Sequence, residues 1–478
     1  MTIPHSPFTT NHPPYRNMPK PSLPQGTRDF AADVVRKRQY IFNTIKSVFE
    51  LYSFEPLETP AMENLDTLIG KYGEEGDKLM FKILNNGISN PKNIEKSKAG
   101  FEKVLEGKSS SDLTERALKY DLTIPFARYV AMNHGRLTFP FRRYQIQPVW
   151  RGDSPQKGRY REFTQCDADV VGSKSLLNEA ELALIYHDVF TKLGIAGYEL
   201  RLNNRKILAA LAETCQAADK TVAITTAIDK LDKIGMERVK EELLQKELTA
   251  TQVALIERYL SMDTQPGITL TNAEKIAFLK NFFAASETGM QGIAELEYII
   301  EMLPPEVHLV IDTTLARGLN YYTGAIFEAK APAAVKIGSI GGGGRYDDLT
   351  GLFDVPGIPG VGISFGVDRI YDVLTELNLF PAEVQQGTKA IFFNMGEAES
   401  YYAFGIMQRM RAAGISCEMY HEPAKIAKQF SYSEKKQIGY AVIIGSREIE
   451  QHYCVVKNLA TGLQEVVVFD NLAAYLGR

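Results

Sequence analysis

The spacing of apolar residues divides the chain into zones. Val34, Val35, Ile41, Phe42, Ile45, Val48 and Phe49 recur at helical intervals between Arg28 and Tyr52, which predicts a helix with Asp29 or Asp33 as its cap. "FEPLETPAME" then reads as a short strand ending at Pro60. Residues 113 to 205 hold several strand-like stretches separated by turns. The character changes over 206 to 305, where Ile224, Ile228, Leu231 and Ile234 fall on one helical face among glutamates and lysines, predicting a helical insertion. Strands return from Val307 and run to Leu377, and "NLFPAEVQQGTK" (378 to 389) reads as a linker. Beyond it "AIFFNM", "AESYYAFGIMQRMRAAG", "ISCEMY", a lysine-rich helix and "YAVIIG" alternate strand and helix. That rhythm predicts a largely parallel sheet covered by helices. It lacks GxGxxG, so it is not read as a dinucleotide site.

Composition narrows the class. The 478 residues are 45% hydrophobic and 23% charged, an ordinary globular balance with room for two or three domains. The formal net charge of −4 argues against a generally basic surface but leaves a local basic patch open. Cys166, Cys215, Cys417 and Cys454 are scattered with no CxxC pair, which disfavours a disulfide framework or a zinc site and fits a reducing compartment. "MTIPHSPFTTNHPPYRNMPKP" is proline-rich and polar, so it reads as a flexible tail and not a signal peptide. No apolar run approaches the length of a membrane span.

Several stretches carry chemistry. "FRRYQIQPVWRGDSPQKGRYREFTQCDADVVG" (141 to 172) predicts two strands joined by a charged loop. In the second strand a period of two puts Arg161, Phe163, Gln165, Asp167 and Asp169 on one face, opposite the small apolar Cys166, Ala168 and Val170. The apolar side should pack, leaving an amide and two carboxylates suited to a cationic or amino-bearing ligand. Lys157, Arg159 and Arg161 in the loop read as a solvated turn or as a phosphate or nucleic-acid contact. Pro148 implies a bulge or an edge just before Arg151. "LKYDLTIPFARYV" (118 to 130) puts Asp121 and Thr123 on one face if extended. "SIGGGGRYDDL" (339 to 349) is either a mobile loop or backbone kept bare for a ligand. "GIPGVGISFGVDRI" (357 to 370) runs from a glycine-spaced strand into a helix with Arg369 near the junction, an entry that can bind an anion. "ARGLNYYTGAIFE" (316 to 328) sets Arg317 before two tyrosines and an apolar strand. If Tyr321 and Tyr322 lie in a strand they face opposite sides and should not share one role; the plain alternative for either is core packing.

Together these stretches resemble the histidyl-tRNA synthetases, a family of class II aminoacyl-tRNA synthetases, from Gly26 to the C-terminus. "RGLNYYTG" and "GGGGRYDDL" resemble the two histidine signatures, "FRRYQIQPVWRGD…GRYREFTQCDAD" resembles motif 2, "GVGISFGVDRI" motif 3, and the stretch ending at Pro60 motif 1, the dimer element. The resemblance implies an α+β catalytic domain on an antiparallel sheet with a helical insertion, followed by an α/β anticodon-binding domain. The chain would divide into a flexible tail (1–22), a first catalytic part with motifs 1 and 2 (23–205), the insertion (206–305), a second catalytic part with the signatures and motif 3 (306–380), and the anticodon-binding domain (388–478). It implies a cytoplasmic homodimer, without membrane association, that joins L-histidine to ATP as histidyl-adenylate and then esterifies histidine tRNA.

Displacement at the α-phosphorus spreads negative charge over phosphate oxygens, so the reaction calls for positioning and cations. By resemblance the catalytic pair Arg317 and Arg151 sits at the α-phosphate of ATP, and Arg369 stacks on adenine, as a planar guanidinium can. Mg2+ bridges the phosphates through ligands the sequence does not identify. The histidine ammonium falls to Asp121, Thr123 and Gln165. Asp169 and Tyr322 take the two imidazole edges, with Tyr321 close by. The insertion would touch the tRNA acceptor arm, and Lys425, Lys428, Lys435 and Lys436 give the last domain a phosphate-binding stripe. The chain departs from the family pattern in three places: Asp121 stands where many bacterial members carry glutamate, Asp153 where motif 2 has glutamate, and Asp348 where glycine is common. Two other readings share the fold. One is a regulatory paralogue of the type that assists ATP phosphoribosyltransferase; the other is a synthetase for another amino acid.

Overall fold

The protein is described by a computed structural model covering residues 20–264, 270–316, 321–385 and 387–477. Most of the expected tail and Arg317 lie outside the described residues. The first helix, Ala32–Leu51, buries Ile41, Ile45, Val48 and Phe49 on one stripe. Neither Asp29 nor Asp33 caps it: Ala31 occupies the cap position in extended conformation, and Asp33 falls in the first turn, where a carboxylate complements the exposed N–H groups.

Eight strands make the main sheet, in the spatial order 55–56, 141–150, 162–171, 360–366, 339–345, 325–330, 199–204 and 309–311. Every internal pairing is antiparallel, and only the two outermost pairs are parallel. Phe141–Trp150 pairs with Glu162–Val171 in unbroken register, so Pro148 marks no bulge. It lies at an edge, because the short strand Glu55–Pro56 covers only Arg143 and Tyr144. Cys166, Ala168 and Val170 are buried in the core, on the apolar face that the alternation requires. The four glycines belong to the strand Ser339–Arg345, not to a mobile loop.

The expected strand zone 113–205 also contains the helices Thr123–Asn133 and Leu177–Lys192. The second buries Leu182, Ala183, Ile185, Tyr186, Val189 and Phe190 together with the polar Asn178 and Glu179, so polar and apolar positions do not separate cleanly into two faces and the periodic contrast is weak. Helices fill 205–301, in line with the insertion pattern, but Ile224 and Ile228 belong to one helix and Leu231 and Ile234 to the next. The stretch 378–389 is more than a linker: Ala382–Gln385 is helical, and Phe380 is buried against Tyr40 and Tyr371.

A second sheet of five strands follows, ordered 417–419, 390–392, 440–443, 453–458 and 464–468. Its first three strands are parallel, joined by the helices Glu397–Ala412 and Ile426–Lys435. The last two strands are antiparallel, so the sheet is mixed where a largely parallel one is expected.

Candidate functional site

Two adjoining cavities open on the polar face of the main sheet. The larger, of about 740 Å³, is lined by Arg151, Tyr160, Phe163, Gly341, Gly342 and Arg369 among others. The smaller, of about 50 Å³, takes Asp121, Thr123, Gln165, Asp167, Asp169, Tyr321 and Tyr322 into its wall. Arg151, Gln165, Gly342 and Ser364 line both. Eight of the nine residues singled out from sequence therefore meet at one place; the ninth, Arg317, lies outside the described residues.

The local folding explains the convergence. Gln165, Asp167 and Asp169 project from one face of the strand Glu162–Val171. Asp121 and Thr123 arrive differently from the extended reading: Thr123 opens the helix Thr123–Asn133, and the Asp121 carboxylate accepts the N–H of Ile124 in its first turn. Tyr321 and Tyr322 precede the strand Ala325–Lys330 instead of lying in it, so the alternation argument does not apply to them. Their rings meet edge to face at 5.0 Å, and both border the small cavity.

Glycine makes the wall between the cavities. A Cβ on Gly341 would stand 2.6 Å from Tyr186, and one on Gly343 would stand 2.2 Å from the Gly362 carbonyl oxygen of the neighbouring strand. None of the four glycines needs a left-handed backbone. Their use is close approach, of strand to strand and of backbone to cavity.

The small cavity is strongly acidic. Asp121, Asp167 and Asp169 are 1%, 3% and 2% exposed. Asp121 accepts from the Tyr72 hydroxyl at 2.8 Å and from Tyr321 at 3.4 Å. Asp169 stands 2.9 Å from the guanidinium of the fully buried Arg143 and accepts a short hydrogen bond from Tyr346. Burial pushes all three carboxyls above the usual range, Asp167 to about 7, against the pull of Arg143 on Asp167 and Asp169 and of Tyr72 and Arg151 on Asp121. Burial likewise holds the Tyr321 and Tyr322 phenols in their neutral form.

The larger cavity has Arg151, Arg159 and Arg369 in its wall beside Asp153 and Asp368. Arg151 donates Nε–H to the Tyr120 carbonyl at 2.9 Å, lies 4.4 Å over the Tyr120 ring and reaches toward Gln165 at 3.5 Å. Arg369, near the start of the helix Val367–Glu376, donates to the Gly158 and Ser339 carbonyls at 3.1 and 2.6 Å. Those bonds fix its guanidinium in the cavity wall.

Sequence reasoning missed Arg143, Tyr346 and Tyr72, which reach the site carboxylates from other elements. Arg143 and Tyr346 stand inside the recognised motifs, yet only cross-strand register shows that Arg143 opposes Asp169. Asp348 gains an explanation: its backbone is left-handed (φ 63°), and its carboxylate accepts the Gly357 N–H. Aspartate tolerates that conformation better than most side chains, which is why it can stand at a glycine position.

An antiparallel sheet that carries motif 2 and motif 3 on neighbouring strands, with an arginine from each at one cleft, is the core of a class II aminoacyl-tRNA synthetase. The family model for histidyl-tRNA synthetase matches residues 103–370, and an anticodon binding domain matches 389–478. A histidine–tRNA ligase of Flavobacterium johnsoniae is 50% identical over 472 residues, covering 95% of this chain and 98% of that one. One from Bacteroides fragilis is 51% identical over 467 residues, covering 96% and 99%. The crystal structure of histidyl-tRNA synthetase from a Nostoc species superposes with a TM-score of 0.79 at 30% identity, covering 96% of this chain and 99% of that one. The chain belongs to the histidyl-tRNA synthetase family.

Proposed function

We infer that this chain is a histidine–tRNA ligase, which activates L-histidine with ATP and passes it to histidine tRNA. The observation that carries the reading is the pair of adjoining cavities, one small, acidic and walled by two tyrosines, the other large and edged by arginines, with Arg151 on both. The full-length likeness to ligases of this specificity supports it.

In this reading the amino acid occupies the small cavity and ATP the large one. Asp121, Thr123 and Gln165 receive the ammonium group, while Asp169 and Tyr322 take opposite edges of the imidazole with Tyr321 beside them. Arg151 lies between the two substrates, where a cation can hold carboxylate and α-phosphate together and offset the charge that develops on displacement. Arg317 joins it by resemblance. The Arg369 guanidinium, in the wall of the large cavity, is the planar group that would stack on adenine. Magnesium would accompany the phosphates of ATP. Among the described residues no group of three or more His, Cys, Asp or Glu side chains is placed to hold a metal by itself, so no ligand is assigned to it.

The same reading divides the chain into the tail, the two catalytic parts, the insertion against the acceptor arm and the anticodon-binding domain from residue 388. Lys425, Lys428 and Lys435 are exposed at the helix Ile426–Lys435, as a phosphate contact requires. Lys436 is tied to Glu418 at 2.9 Å and contributes less. A cytoplasmic homodimer joined through the motif 1 region belongs to this proposal; no described helix is long and apolar enough to cross a membrane. A regulatory paralogue is not favoured. A Bacillus halodurans chain described as an ATP phosphoribosyltransferase regulatory subunit/histidyl-tRNA synthetase shares the fold at a TM-score of 0.68 but only 19% identity.

ATP–pyrophosphate exchange with each of the twenty amino acids tests the reading. Exchange should require histidine and magnesium. Exchange driven equally by another amino acid would reject the specificity, and none with any amino acid would reject the enzyme.

A further inference from the structure

Asp167 has no part in the reading above, yet it stands in the wall of the small cavity between residues that do. It is two positions from Gln165 and two from Asp169 on the strand Glu162–Val171, so the three side chains leave the sheet on one face. It is 3% exposed, it stands opposite Ser364 on the neighbouring strand, and its Oδ1 has no hydrogen-bond partner. A carboxylate oxygen held dry without a donor is costly, so the arrangement suits a donor brought by a ligand.

The two neighbouring carboxylates are already engaged. Asp121 already accepts from Tyr72, Ile124 and Tyr321. Asp169 accepts from Tyr346; its Oδ2 lacks a hydrogen bond but faces Arg143 at 2.9 Å. The Arg143 Nη2 points to Asp169 and to the Leu122 carbonyl; its Nε and Nη1 make no hydrogen bond, so its charge acts on Asp167 without supplying a donor to Oδ1. Three carboxylates thus surround the cavity with one buried guanidinium among them and Arg151 at the rim. The enclosure is short of positive charge. An ammonium group supplies that charge and three N–H donors with no acceptor of its own.

We propose that Asp167 is a further substrate-recognition residue, whose unpartnered carboxylate oxygen receives the α-ammonium group of the bound amino acid alongside Asp121 and Gln165. The proposal rests on histidine being the occupant of this cavity. It adds a fourth polar acceptor to Asp121, Thr123 and Gln165 from a position where the motif resemblance assigns none, and it gives the strand one continuous reading surface from Gln165 through Asp169.

The test is Asp167→Asn, which keeps the shape but removes the charge. In histidine-dependent exchange the KM for histidine should rise about 10- to 100-fold, the worth of one charge-assisted hydrogen bond. The KM for ATP and kcat should stay within about threefold of the parent, since neither depends on ammonium capture. Inhibition by histidinol, which keeps the ammonium group, should weaken in parallel, while inhibition by imidazolelactate, which lacks it, should not change. A histidine KM within twofold of the parent overturns the proposal. So does equal weakening of histidinol and imidazolelactate, which would give Asp167 to the ring, and so does a fall in kcat with both KM values raised, which would make it structural. If imidazolelactate fails to inhibit the parent, the histidine KM and histidinol decide. If Asp167→Asn does not fold, Asp167→Ser is measured in the same way. Absence of histidine-dependent exchange in the parent rejects the underlying function instead, before any variant is compared.

Discussion

Asp169 and Arg143 lie 2.9 Å apart, and neither reaches solvent. Removing one partner of such a pair strands the other as a buried charge. Asp169→Ala should therefore cost about 3–5 kcal/mol of folding stability besides weakening histidine binding. Urea unfolding measures the first effect, and a variant as stable as its parent would mean that the pair is not held in the folded protein. Asp167 gives a prediction with a definite sign. Folded, it keeps its proton to about pH 7; unfolded, it loses it near the ordinary aspartate value of about 4. Between these limits the folded state binds more protons, so this group's contribution to stability falls as pH rises. Asp121, Asp169 and Glu179 titrate upward too; Asp167→Asn removes the Asp167 proton site together with its repulsion of Asp121 and Asp169, and both changes flatten the pH dependence. Relative to the parent, that variant should gain stability between pH 5 and pH 8; an unchanged difference at the two pH values counts against the assignment. At this scale much of the site was legible, because Gln165, Asp167 and Asp169 follow a two-residue period and short motifs carry Asp121, Tyr321 and Tyr322. The groups that hold those side chains were not. Tyr72 reaches Asp121 from a segment that carries no motif, and Arg143 meets Asp169 only through pairing of two strands.

The strand Ser339–Arg345 shows what an element's sequence says and omits. Four glycines announce that side chains are unwelcome; they do not say whether the excluded space belongs to a ligand or to the protein. Neighbouring positions answer differently. A Cβ on Gly343 would meet the Gly362 carbonyl at 2.2 Å, rigid backbone of the adjacent strand. Gly343→Ala should cost about 1–3 kcal/mol or more through strand displacement, read as a lowered melting temperature. Gly342→Ala places its methyl 3.4 Å from the Phe327 carbonyl, an ordinary contact, but on the wall shared by both cavities. It should fold like the parent and raise the KM values. The same loss of stability in both variants would show that the strand tolerates no side chain anywhere and would remove the distinction. The buried helix Leu177–Lys192 escaped sequence reading for another reason: it buries polar Asn178 and Glu179 along with its apolar residues, so the pattern of polar positions does not mark one face.

Across the whole molecule, the succession of zones was legible because hydrophobic period changes from two to 3.6 and back. Strand order was not, since neighbours in the main sheet come from residues as distant as 171 and 360. The separation of cores has the clearest consequence. The apolar clusters of the five-stranded unit draw their buried members only from residues between 390 and 476, and those of the main sheet and its helices only from residues between 41 and 380. No buried side chain belongs to both sets, so removing the last unit deletes no part of the other core. A chain ending at Gln385 should therefore stay folded. It keeps both cavities and the strands that build them, so its histidine-dependent ATP–pyrophosphate exchange should remain within several-fold of the full-length rate. Charging is another matter, because in the proposed reading the exposed lysines of the helix Ile426–Lys435 contact tRNA phosphates. Aminoacylation should fall far more than exchange, through a raised KM for tRNA, and the ratio of the two KM values should narrow as salt is raised, because salt screens the lysine contacts that only the full-length chain makes. Exchange and charging measured on the same truncated preparation separate the outcomes. Undiminished charging would take tRNA binding away from the last ninety residues, and exchange lost together with charging would mean that the two cores are less independent than their membership implies.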